Sequence, residues 1–255
     1  MNLLLVVFYR RFLCQFFFFS LFKIKKGSLK EKLFNIFLLA LTTFCIIVTG
    51  DRLPFFHIVI FLVLGTFFFF NLKKFIIVFF TFLFLILILI KFSPEVQNRF
   101  SDTKNVFINF PLSSYYVLYE NGIEVWKTNK FFGVGIKNYN LICDEITKDF
   151  TFKSHQFCSS HPHNILLELM ISTGIVGTLI FYSIFILFFR EFLKLKINKL
   201  DKTLTLLFFG SCLTIIFYLN PISTTGSIFN SWNASFFWFH FGLSVGLLRL
   251  MIKKK

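Results

Sequence analysis

Apolar runs long enough to cross a lipid bilayer recur along this chain from end to end, and no other feature narrows its fold as far. They fall at about 3–22, 33–49, 55–72, 75–92, 164–189, 204–220 and 231–250, where roughly 20 apolar residues of helix suffice to cross the hydrocarbon core. A backbone in lipid must satisfy its own N–H and C=O groups, which a helix does within one segment. The expectation is an all-α integral membrane protein of about seven transmembrane helices, with one large outer loop. Of 255 residues, 44 are Phe and only 15 % are charged, against about a quarter in a soluble chain. A soluble enzyme, a secreted disulfide scaffold and a disordered chain are excluded.

The net charge of +15 resembles a nucleic-acid signal until it is located. Lys23, Lys25, Lys26, Lys30 and Lys32 fall in one connector, and Lys73 and Lys74 in the next but one. Arg190, Lys194, Lys196, Lys199 and Lys202 fill a third, and Arg249 with Lys253 to Lys255 the tail. Only Glu31, Glu191 and Asp201 oppose them. If all seven runs cross, these segments share one side, the positive-inside pattern that marks the cytoplasm. The charge is thus a topology signal, and no nucleic acid is expected. Segments 50–54, 91–163 and 220–230 then share the outer face.

This gives three parts: N-terminal membrane helices (1–92), an outer loop (93–163) and C-terminal membrane helices (164–255). The first run carries Arg10 and Arg11 near its middle, and central arginines are costly in lipid. They face protein or water, or the stretch is an interfacial helix; a cleaved secretory signal does not fit the interrupted apolar core. Phe67 to Phe70 read as lipid-facing filler. No internal repeat is visible.

The outer segment is long for a connector, and long connectors are usually functional. Around Ser113 to Lys130, the aromatics Tyr115, Tyr116, Tyr119, Trp126, Phe131 and Phe132 recur at roughly helical spacing. This predicts an amphipathic helix, lying on the membrane or capping a cavity, or packed on the bundle as an ordinary solvent-facing helix. Cys143 and Cys158 lie fifteen positions apart. On an oxidising face they are expected to close a disulfide, with two free thiols as the alternative. Cys14, Cys45 and Cys212 fall in apolar runs and read as small buried hydrophobes.

The segment ends in Cys158-Ser-Ser-His161-Pro162-His163-Asn164, where the fifth run begins. Pro162 and Asn164 suit a helix start, so His163 falls where loop meets helix. The helix dipole disfavours imidazolium there and leaves a neutral base, although a histidine that merely caps the span fits equally. Gly174 lies about three turns on and shares the His163 face about 16 Å deeper. With Gly177 it is expected to let another helix approach closely. Glu168 is an ionisable group inside the span, and such groups are functional by default. Gly133-Val-Gly135 lacks the third glycine and strand of a nucleotide loop. His155, His161 and His163 with Asp144 and Glu145 do not follow a recognised zinc spacing. His57 and His240 read as packing residues.

The run His161-Pro162-His163-Asn164 through Gly174-Ile-Val-Gly177-Thr178 resembles the motif of the O-antigen ligase and polymerase superfamily. Three more stretches resemble the family in the same order: Thr49-Gly50-Asp51-Arg52, Trp126 to Tyr139 with Gly133 and Gly135, and Pro221 to Asn233 with Asn230 and Trp232. Together they cover most of residues 49–245. The resemblance implies a membrane glycosyltransferase of the bacterial inner membrane, working on the periplasmic face. Its donor is an undecaprenyl-diphosphate-linked glycan, and its acceptor is the lipid A core for a ligase or a lipid-linked glycan for a polymerase. Membrane lipid and polysaccharide-assembly proteins are the further implied partners. No cofactor and no metal are implied.

Carried onto this chain, His163 is the catalytic base and Arg52 the diphosphate clamp. Asn164, His161, Lys137, Arg99 and Glu168 are the substrate-binding candidates. Family members carry a second arginine in the outer loop where this chain has Ser113 to Tyr116; Arg99 and Lys137 are the alternatives for that charge. Members also have ten or more spans, so N-terminal spans are missing relative to the family. A transporter of lipid-linked sugars, which would normally show internal repeats or paired broken helices, and a non-catalytic member of a glycan-assembly complex are the other readings.

Overall fold

A computed structural model describes residues 19–49, 56–61, 72–92, 108–149, 158–195, 202–221 and 226–253, with isolated positions at 17, 63, 94, 97, 98, 101, 102 and 104. Among these residues the structure is helical, without strands. The chain divides into two compact units: Met1–Asn105 with Asp201–Leu213, and Val106–Leu200 with Thr214–Lys255. Most of the outer segment, from Val106 on, thus falls in one unit with residues 164–200 and 214–255. The first apolar run, Phe67 to Phe70, Arg10 and Arg11 lie largely or wholly outside the described residues.

In the first unit, α1 (Leu29–Thr49) opens on a reciprocal cap. The Ser28 amide donates to Glu31 Oε2 at 2.8 Å, and the Glu31 amide to Ser28 Oγ at 3.4 Å. This satisfies two of the orphan N–H groups of a helix start. Lys23 Nζ holds the same carboxylate at 2.6 Å. Buried Asn35 and Thr42 donate to the carbonyls of Glu31 and Leu38, at 2.8 and 2.7 Å. Polar groups in an apolar helix are thereby satisfied locally, which offsets the cost of burying them. Helix α2 (Leu72–Phe92) follows.

The second unit starts with a 3-10 turn (Phe110–Leu112) and α3 (Ser114–Thr128). Ser113 caps α3 by accepting from the Tyr116 amide at 3.3 Å. The predicted amphipathic helix is therefore present, two residues shorter at its C-terminal end. Its Leu118, Asn121, Gly122 and Val125 are buried at the spacing of one helix face. Val125 packs with Leu167 and Ile171 of α5 (Ile165–Leu193) and with Tyr139 and Cys143 of α4 (Tyr139–Asp149). The stripe is thus spent on protein.

Helix α5 (Ile165–Leu193), α6 (Lys202–Leu219) and α7 (Ser231–Lys253) complete the chain. Ile165, Leu169, Phe185, Ile215, Ile228 and Phe237 form their shared core. Phe185 packs edge-to-face against Phe237 and Phe241 at 5.5 and 4.9 Å between ring centres, a favoured aromatic geometry. Part of the phenylalanine excess is therefore core. Among the described residues two helices, α5 and α7, are long and apolar enough to cross a membrane, and α6 is a shorter apolar helix.

Helix α5 is not continuous. Gly174 has φ 67° and ψ −175°, which breaks the helical path. The turn after α3 fills the break. The amides of Val134 and Gly135 donate to the carbonyls of Ile171 and Ser172 at 2.7 and 3.1 Å. The amides of Ile175 and Val176 donate to the carbonyls of Lys130 and Phe131 at 2.9 and 3.3 Å. One short loop thus satisfies both the C-terminal carbonyls of the first half and the N-terminal amides of the second. A Cβ at Gly174 would run into the Phe131 carbonyl, and one at Gly133, which also has positive φ, would lie 2.6 Å from the Gly174 nitrogen. The expectation that Gly174 admits a neighbouring helix is corrected: it admits a loop backbone. The helical path that was to carry the His163 face down to Gly174 also ends there. Gly177 has its own Thr173 side chain as nearest neighbour.

Candidate functional site

Residues 158–164 form the turn that delivers the histidines to the start of α5. Cys158 is joined to Cys143 of α4, with Cα atoms 5.9 Å apart, so the disulfide anchors the beginning of the turn. Ser159 Oγ donates to the His161 carbonyl, and Ser160 Oγ lies 3.0 Å from His161 Nδ1. Pro162 is buried. At the far end Asn164 is the N-cap, its Oδ1 accepting from the Leu167 amide at 3.0 Å.

Between these anchors His163 takes φ 53°. Left-handed backbone is uncommon for a residue with a Cβ, and histidine is among the types that tolerate it. It persists only where the surroundings hold it, often at functional positions. The conformation turns the chain back so that the His161 and His163 rings lie 4.1 Å apart between centres, inclined by 40°. Burial holds the His163 imidazole below its ordinary pKa of 6.5. The sequence led to the same direction through the helix dipole; the cause here is desolvation.

The Asn164 amide reaches further, donating from Nδ2 to the Pro221 carbonyl at 2.5 Å. Its side chain is also a hydrogen-bond partner of Tyr119, whose hydroxyl is pushed up in pKa by burial. One turn on, buried Glu168 accepts from the Ile228 amide at 2.9 Å and has the Ser227 side chain as a second partner. Asn233 Nδ2 donates to the Ser227 carbonyl at 2.8 Å. The N-cap of α5 and a side chain one turn into it thus tie the segment 220–230, at Pro221 and at Ile228, to the start of the helix. A buried carboxylate requires such partners. Asn164 and Glu168, expected on the substrate, have these side-chain atoms engaged inside the protein.

Lys137 is exposed in a tight turn, with φ 65°. Asn138 closes that turn, its amide on the Gly135 carbonyl at 3.4 Å and its Nδ2 on the Val134 carbonyl at 2.9 Å. Arg52, Asp51, Arg99 and His155 lie outside the described residues. Among the described residues no three His, Cys, Asp or Glu side chains gather where they could hold a metal ion. His240 is buried on α7, its Nδ1 2.7 Å from the Phe236 carbonyl.

The sequence profile of the O-antigen ligase family matches residues 37–182. The chain belongs to the O-antigen ligase family. Like the family, it is embedded in a membrane. The match takes in Arg52, Gly133, the histidine turn and the break at Gly174, and it ends before the segment that Asn164 and Glu168 hold. None of the curated proteins compared with this O-antigen ligase family member matches it.

Sequence reasoning missed Tyr119 as a partner of Asn164; it set aside Gly133-Val-Gly135 as a nucleotide loop and placed it in a stretch resembling the family, without a structural role for either glycine. The two glycines were visible. Their partner, 41 positions away at Gly174, has no local signal that pairs it with them.

Proposed function

We propose that this chain is a glycosyltransferase of the ligase type, using an undecaprenyl-diphosphate-linked glycan as donor and a lipid A core sugar as acceptor. The observation that carries this reading is His163: a half-buried imidazole with depressed pKa, held in a left-handed turn at a helix start, inside the stretch matched to the family. A neutral imidazole there can take the proton of an incoming sugar hydroxyl. The oxygen attacks the anomeric carbon as its bond to the phosphate oxygen breaks, and undecaprenyl diphosphate departs with that electron pair. Arg52 is the proposed clamp for the departing diphosphate, since a guanidinium meets phosphate oxygens two at a time. Lys137 and Arg99 are the candidates for a second cation, and His161 for a contact to the sugar.

In this reading Asn164 and Glu168 position the segment 220–230 over the site. The disulfide supports an oxidising compartment around the histidine turn. Together with basic connectors on the opposite side, it favours the periplasmic face of the bacterial inner membrane.

The test is transfer by the full chain reconstituted with lipid-linked glycan and lipid A core. His163→Ala and Arg52→Ala are expected to abolish transfer at unchanged membrane insertion, and retained transfer in both overturns the assignment. A deletion strain adds the distinction of product. Long glycan left on the carrier with bare core indicates a ligase, whereas core bearing one repeat indicates a polymerase.

A further inference from the structure

The two halves of α5 differ in what covers them. Of residues 165–173 none is exposed, and Ile165, Leu167, Glu168, Leu169, Ile171 and Ser172 are buried. The exposed apolar residues of this helix begin at the break, with Ile175, Val176, Leu179 and Ile180. The remaining stretch, 175–193, measures about 28 Å at 1.5 Å per residue, close to the roughly 30 Å of a hydrocarbon core. All 29 residues of α5 would overrun that thickness by about half. The second half alone therefore matches the bilayer, with Arg190 and Lys194 at its far end.

The loop that clamps the break carries the same apolar character outward. Phe131 and Phe132 are 66 % and 74 % exposed, and Ile136 is 54 % exposed. The backbone that carries them runs beside Ile175 and Val176, because the Lys130 and Phe131 carbonyls take those amides. Exposed Lys130 and Lys137 flank them, and Trp126 Nε1 donates to the Lys130 carbonyl at 3.3 Å. Two exposed phenylalanines continuous with a lipid-facing helix surface and bracketed by lysines form the pattern of a chain seated in a headgroup layer. The rings enter the acyl boundary, and the ammonium groups reach lipid phosphates.

We propose that the turn 130–137 is a membrane-docking edge, anchored in the lipid by Phe131 and Phe132, so that the bilayer surface crosses this chain at Gly174. The histidine turn then stands up to about 14 Å beyond that surface, the length of nine helical residues, clear of the acyl chains. The clamp at Gly174 keeps the docking edge and the span in fixed register, since four backbone hydrogen bonds join them.

The test uses the full chain with Phe132→Trp in phosphatidylcholine–phosphatidylglycerol vesicles, with and without acyl chains brominated near the headgroup. Subtracting the unsubstituted chain removes Trp126, Trp232 and Trp238. The added emission is expected to shift to the blue, to lose most of its intensity to brominated lipid and to resist acrylamide. Glu145→Trp, at an exposed position of α4, is the reference and is expected to do the reverse. Phe131→Trp repeats the measurement should the first variant insert poorly. Acrylamide quenching equal to that of Glu145→Trp overturns the proposal. So does a blue-shifted emission that bromine leaves untouched, which would mean that protein covers the edge.

Discussion

Two loops are fastened to α5, one at its break and one at its start, by different means. The turn 130–135 is joined to α5 by backbone-to-backbone hydrogen bonds, and glycines at 133 and 174 let the two backbones approach. The segment 220–230 is held by side chains, with Asn164 on the Pro221 carbonyl and Glu168 on the Ile228 amide. A backbone clamp tolerates any side chain except one that adds a Cβ where there is no room. A side-chain clamp depends on two particular functional groups and can be removed by replacing either. The first suits a fixed joint, and the second a segment whose placement can be tuned by single substitutions.

Breaking the backbone clamp is expected to have the largest effect. Gly174→Ala forces a Cβ into left-handed backbone and against the Phe131 carbonyl, and roughly 2–5 kcal/mol of stability should be lost. Thermal unfolding in detergent measures it, and a Tm equal to the parent would mean that the joint relaxes freely. Next is the disulfide. A Cys143→Ser, Cys158→Ser double variant loses the closure of a fifteen-residue loop, about 3 kcal/mol on chain-entropy grounds. It should also raise protease sensitivity across 150–163 more than across 220–230.

The side-chain clamp is sharpened by a pair of substitutions. Glu168→Ala leaves the Ile228 amide without its acceptor and should cost about 1–3 kcal/mol, with transfer falling more than insertion. Glu168→Gln retains an acceptor oxygen and is expected to recover most of both. If the two variants behave alike, the hydrogen bond to Ile228 does not hold the segment. Asn164→Ala, which removes the cap and the tie to Pro221, should cost about 1–2 kcal/mol. Its deficit should add poorly to that of Glu168→Ala, because both act on one segment.

The smallest effect is on pH dependence. Burial lowers the folded pKa of His163 below 6.5, so between those two values the unfolded chain binds more protons than the folded one. Stability contributed by this group is complete above 6.5 and is lost as pH falls through the folded pKa. Transfer that needs neutral imidazole should persist below pH 6.5 and then drop. A pH–rate profile of the wild-type chain with its midpoint above 6.5 would exclude His163 as a base in this environment.

The sequence by itself determined the solvent. Apolar runs report insertion into a membrane, because hydropathy is a property of stretches rather than of contacts. It also marked the histidine turn, since proline, asparagine and histidine at a helix start carry local conformational preferences, and the α3 helix, through its spacing. The tertiary structure decided what the glycines are for. Gly174 reads as one more small residue in a span until Lys130 to Gly135 is laid across it, and that approach links residues about forty positions apart. The burial of Glu168 likewise acquires its meaning only from the Ile228 amide, sixty positions on. Hydrogen bonds between distant segments leave no periodic trace in the chain, because each partner's local preferences are satisfied in many folds and their meeting is fixed by packing alone.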